Sequence, residues 1–254
     1  MKIGVFATFM SPNATPGMIR DFGRKSEDLG LDSIWMGEHV ALFEKNTFGY
    51  PGSKDGRIPV PPGGGMLDVT ATFGFLAAGT KTLRFGTGVA LVPQRNPIYT
   101  AKEMVTLDWL SDGRLDFGIG VGWNKEEVEA CGYRWEDRGK RCDEFLEAMR
   151  RMWTEPVVDF AGKWIKFETL RLDPKPIQKP QSMPSLKRSL AIGQTKQIRP
   201  LQSRQRPSLK RQILSQRRKR SPNLRKRSLI LRFWNAIIRT SKAHCQKRVA
   251  KHGR

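Results

Sequence analysis

The chain has 254 residues, enough for one large α/β domain or two smaller ones, and carries 46 Lys+Arg against 24 Asp+Glu, a formal net charge of +22. Such an excess ordinarily points to nucleic acid or an anionic membrane, but all 24 acidic residues lie before Pro180, so the neutral first 180 residues call for neither partner. Cys131, Cys142 and Cys245 are odd in number and lack metal-type spacing, which argues against a disulfide framework and for a reducing cytoplasmic setting; no run approaches the ~20 apolar residues of a membrane span.

Over the first 155 residues short apolar runs alternate with helical patterns, which predicts repeated βα units around a parallel sheet. Ile3 to Phe9 reads as the first strand. Thr15 caps a helix with Pro16 at its first position, and Gly30 ends it. Ser33 to Met36 is a second strand, followed by a loop from Gly37 to Gly65 rich in Gly, Pro and charge; loops of that length are functional or disordered. Asp68 starts the second helix, Leu83 to Leu91 is the third strand, and Asn96-Pro97 repeats the cap-then-proline signal for a helix reaching Leu110. Leu115 to Val121 gives a fourth strand. Cys142, Phe145, Met149 and Trp153 share one helical face. Val157 to Phe160, a turn at Ala161-Gly162 and Lys163 to Phe167 read as a hairpin. Four βα units are half of an eight-unit barrel, and a doubly wound sheet begins with the same pattern.

Gly86-x-Gly88 and Gly118-x-Gly120-x-Gly122 resemble dinucleotide fingerprints, but neither has the full G-x-G-x-x-G spacing with a helix in register. His39 is the only histidine among the first 180 residues. Its titration range suits proton transfer or a hydrogen bond to a ring carbonyl, and the plainer reading is a loop histidine with a structural hydrogen bond. Trp35 and Trp123 either wall a pocket or pack. Arg95 either meets an anionic tail or is a solvated loop arginine.

From Gly113 to Lys125 (Gly-Arg-Leu-Asp-Phe-Gly-Ile-Gly-Val-Gly-Trp-Asn-Lys) the chain resembles the bacterial luciferase-like monooxygenase superfamily of flavin and deazaflavin enzymes. Trp35-Met36-Gly37-Glu38-His39, Phe85 to Val89 and Pro93 to Pro97 resemble other segments of that family in the same order. Arg57 to Pro62 and Leu172 to Pro180 are similar to the subgroup that uses the F-420 type of deazaflavin. The resemblance covers residues 1–180 and implies a TIM-type (β/α)8 barrel, of which the first four βα units are recognisable. It implies an oxidoreductase, a monooxygenase or a hydride-transfer enzyme on a small organic substrate, with FMN or the deazaflavin as cofactor. By the same resemblance His39 is catalytic, while Thr87, Gly88, Val89, Gly122 and Trp123 bind the cofactor ring, with Gly88-Val89 matching a non-proline peptide that is often cis. No metal site is implied, and the intact family suggests a homo-oligomer. Luciferase α chains place a reactive cysteine and an arginine where this chain has Gly120 and Val121, which points away from light emission.

After Pro180 the periodicity stops. Residues 181–254 are rich in Ser, Gln, Lys, Arg, Leu and Pro without a single acid, and so read as a disordered basic tail or a non-native reading frame. On that reading the chain is a truncated barrel and is inactive. The alternative is a genuine arm that binds nucleic acid through its phosphates.

Overall fold

The computed structural model describes residues 2–178. The expectations for 181–254, a tail without a core or a nucleic-acid arm, lie outside the described residues.

The elements run β1 (Gly4–Phe6), α1 (Pro16–Asp28), β2 (Ser33–Met36), α2 (Val69–Ala77), β3 (Arg84–Thr87), α3 (Pro97–Leu110), β4 (Leu115–Asp116), α4 (Lys125–Ala130), α5 (Arg138–Thr154), β5 (Val158–Ala161) and β6 (Lys166–Leu170), with a 3-10 turn at Val92–Gln94. Three helix starts follow from local chemistry, a side chain accepting from an N–H that the first turn leaves unpaired. Thr15 accepts from the Met18 amide at 3.3 Å, Asp68 from Ala71 at 2.7 Å, and Asn96 from Ile98 at 3.0 Å. Gly30, with φ at 67°, takes the left-handed conformation that ends α1.

β1, β2, β3 and β4 pair in sequential order, all parallel, with Ile34 beside Val5 and Phe85 beside Ile34 and Leu115. A doubly wound sheet reverses direction after its first few strands, whereas sequential order is the winding of a barrel. Period-two alternation sorts the side chains. Ile34, Met36 and Phe85 are buried, and the Phe85 ring lies 5.4 Å from that of Phe73 on α2. On the other face the Trp35 indole lies across Gly86, where a Cβ would stand only 2.4 Å from its ring.

Near the start of β3, Arg84 grips Asp116 with two hydrogen bonds of 2.8 and 2.6 Å. Arg114 covers Phe85 and donates to the Leu83 and Ala77 carbonyls. The stretch after β6 returns to α3 and β4: the Ile177 amide donates to Asp108 at 2.7 Å and the Gln178 side chain to the Leu115 carbonyl at 2.7 Å. Among the described residues no helix is long and apolar enough to cross a membrane.

Three expectations are revised. The first, third and fourth strands are shorter than their apolar runs; past Thr87, whose hydroxyl ties to the Gly118 carbonyl, β3 and β4 continue as the Ala90–Ile119 bridge, and the Gly88–Val89 peptide is cis. The hairpin turn spans residues 162–165, not two residues, because the Glu144 carboxylate gathers the amides of Lys163, Trp164 and Ile165 at 2.8, 2.8 and 3.1 Å. On α5, Cys142, Phe145 and Met149 are buried as the pattern predicts, but Met152 is buried beside them while Trp153 is half-buried and donates to the Ala101 carbonyl.

Candidate functional site

Polar side chains converge beyond the C-terminal ends of β2, β3 and β4. The approach of the two later segments explains the glycine pattern. The Thr87 hydroxyl donates to the Gly118 carbonyl at 2.6 Å, the Ala90 amide to the same carbonyl at 2.9 Å, and the Gly120 amide to Ala90 at 2.9 Å. A Cβ on Gly118 would lie 2.2 Å from the Thr87 carbonyl oxygen, and one on Gly120 would lie 2.4 Å from Val89 Cγ2. These glycines serve close packing, Gly118 against the Thr87 backbone and Gly120 against the Val89 side chain, rather than a phosphate loop. Gly122 has φ at 79°, a left-handed turn that swings the chain toward Trp123.

Trp123 and His39 meet across this turn. The Trp123 Nε1–H donates to His39 Nε2 at 3.3 Å, and the rings stand edge to face with centroids 5.6 Å apart. Tyr50, from the loop after β2, lies against the same indole at 5.5 Å. Asn124 then caps α4 by accepting from the Glu127 amide at 3.2 Å. The Glu127 carboxylate faces back across the site: one oxygen lies 2.8 Å from His39 Nδ1, and the other accepts from the amides of Val40 at 2.5 Å and Ala41 at 3.2 Å. Its neighbour Glu126 accepts from the Thr47 amide and hydroxyl at 2.7 and 2.5 Å. The long loop thus hangs on the first turn of α4.

Glu38 points elsewhere. It accepts from the Leu91 amide at 2.6 Å and pairs with Arg95, which also binds Glu103 at 2.5 Å. Burial pushes the Glu38 carboxyl above its ordinary range, with Arg95 and the Leu91 N–H pulling the other way. Arg95 is therefore neither a free anion receptor nor a solvated loop residue, as its sequence position suggests, but the counter-charge of a buried acid.

Of the residues expected at the site, His39, Gly122 and Trp123 come together around one hydrogen-bond chain. Gly88 and Val89 lie at the cis peptide, with Phe6 packed at Gly88 and 52% exposed. Thr87 is buried and its hydroxyl is spent on Gly118. Two residues escape sequence reasoning. Glu127 lies three residues after Asn124, a spacing that signals only a capping box. Gln94 is 5% exposed, yet neither atom of its amide has a partner among the described residues; its oxygen stands 3.8 Å from where a Cβ on Gly122 would be. An amide that can donate and accept, beside a left-handed glycine, suits the polar edge of a flat heteroaromatic ring.

Sequential parallel βα units with polar groups gathered at their strand ends define a TIM-type barrel class. The chain belongs to the luciferase-like monooxygenase family, which it matches over residues 1–192. It is 34% identical over 155 residues to an uncharacterized protein of Mycobacterium tuberculosis, an alignment covering 61% of this chain and 55% of the relative. It is 31% identical over 174 residues to the FMNH2-dependent dimethylsulfone monooxygenase of Pseudomonas fluorescens, covering 67% of this chain and 47% of that one. An F420-dependent secondary alcohol dehydrogenase in complex with an F420-acetone adduct shares the fold, with a TM-score of 0.56 at 22% identity over 70% of this chain and 50% of that chain. The chain spans about half the length of these relatives.

Proposed function

We propose that the protein is a flavin- or deazaflavin-dependent oxidoreductase that acts on a small organic substrate. The observation that carries this reading is the His39 imidazole, held between Glu127 and Trp123 at the strand ends. The Gly88–Val89 peptide, Gly122 and Trp123 provide surfaces for one flat ring, and Gln94 a polar contact for its edge. Phe6 adds an apolar wall. Such a ring, when bound, accepts or delivers a hydride or activates oxygen. The chain's own part is to orient the substrate and to hold or move a proton at His39, a contribution worth about 10²–10⁴ in rate. The relatives support both cofactors: one is named for reduced FMN and another for the deazaflavin.

A panel of small alcohols and ketones under nitrogen with oxidised deazaflavin, and of sulfones and ketones in air with reduced FMN, tests the reading. One pairing is expected to turn over, and His39→Asn is expected to lower that turnover by about 10²–10⁴ while ring binding persists. Turnover unchanged in His39→Asn would remove His39 from the chemistry.

A further inference from the structure

We infer that Glu127 is a positioning residue that holds His39 in the tautomer with its proton on Nδ1, leaving Nε2 as the nitrogen that exchanges a proton with substrate. The assignment of Nε2 to substrate rests on the proposed oxidoreductase reading; the tautomer does not.

Two partners on opposite sides of the ring lead to the same assignment. The Trp123 indole nitrogen can only donate, so the nitrogen it faces, Nε2, must present a lone pair. An ionised carboxylate can only accept, so the nitrogen facing Glu127, Nδ1, must carry the proton. The Glu127 side chain is 1% exposed and that of His39 is 11% exposed, so solvent offers little competition for these bonds. At 3.3 Å the Trp123 N–H···N bond is long, and a substrate hydroxyl can replace it at Nε2.

Both oxygens of Glu127 are committed, and this makes the carboxylate irreplaceable by its amide. One oxygen already serves two backbone donors, the amides of Val40 and Ala41. A glutamine has one accepting oxygen, and the two amides claim it. Its NH2 then faces Nδ1, which can no longer carry a proton. The proton moves to Nε2 and meets the Trp123 N–H head on. The same carboxylate therefore couples the start of the loop after β2 to the tautomer of the imidazole. In the serine-protease triad the corresponding acid-to-amide change costs about 10⁴ in turnover through the wrong tautomer.

The test is nitrogen NMR of the full chain labelled with 15N-histidine, without cofactor or substrate, the His39 signals being assigned by their loss in His39→Gln. The wild type is expected to show a directly bonded proton on Nδ1 and a lone-pair shift at Nε2. Glu127→Gln is expected to reverse this, and Trp123→Phe to preserve it, because Glu127 alone suffices. An Nε2–H signal in the wild type, an unchanged tautomer in Glu127→Gln or a reversed one in Trp123→Phe would overturn the inference. The wild-type and Trp123→Phe spectra decide even where Glu127→Gln does not fold. Failure to bind either ring would sink the oxidoreductase reading and leave the tautomer standing.

Discussion

Glu38 is a carboxylate whose side chain is only 4% exposed, and Arg95 is what makes its charge tolerable. An isolated buried carboxylate is costly, and removing one partner of a buried pair exposes that cost in full. Arg95→Met is expected to lower stability by about 3–5 kcal/mol in urea denaturation. A loss below about 1 kcal/mol, the ordinary worth of a surface ion pair, would show that Glu38 is solvated. Cys142 shows the same burial acting on a thiol: its pKa is pushed up to about 12, with Asp143 adding to the shift. A thiol so held is inert, since the thiolate is the reactive form.

Elements are joined here by carboxylates that collect backbone amides. Glu27, near the end of α1, accepts from the amides of Lys81 at 2.9 Å and Leu83 at 3.0 Å and from the Thr82 amide and hydroxyl, fixing the approach to β3. Burial pushes the Glu27 carboxyl up, but these donors outweigh it and hold the carboxyl below its ordinary value. A carboxyl with a lowered folded-state pKa stabilises above its unfolded value, about 4.3, and loses that contribution as pH falls through the folded one. Melting temperature against pH is therefore expected to fall more steeply below about pH 4.3 in the wild type than in Glu27→Gln. Parallel curves would contradict this.

What the sequence made legible at this scale was local. Thr15, Asp68 and Asn96 cap helices through bonds to their own first turns, and the pattern names them. The ends of β3 and β4 were not legible, because they depend on Thr87 meeting Gly118 across 31 residues. Glu127 was hidden for a different reason: Asn124-x-x-Glu127 reads as a capping box, and the fold turns that carboxylate to His39 instead. His39 itself was readable as a candidate, but its two partners, 88 and 84 residues away, were not.

At the scale of the molecule, the described residues form four sequential βα units with the site on one end of the sheet and ion pairs such as Arg84–Asp116 at the other. Phe75 on α2 and Tyr99 and Leu110 on α3 stay exposed. The central claim is that the strand ends bear a site for a flavin-type ring. Its most direct test is titration of the full chain with FMN and with the deazaflavin coenzyme, following the ring absorbance and the quenching of tryptophan emission. One of the two is expected to saturate with a shifted absorbance band, and Trp123→Phe to remove part of the quenching. No spectral change with either ring, in a chain that melts cooperatively, would contradict the account.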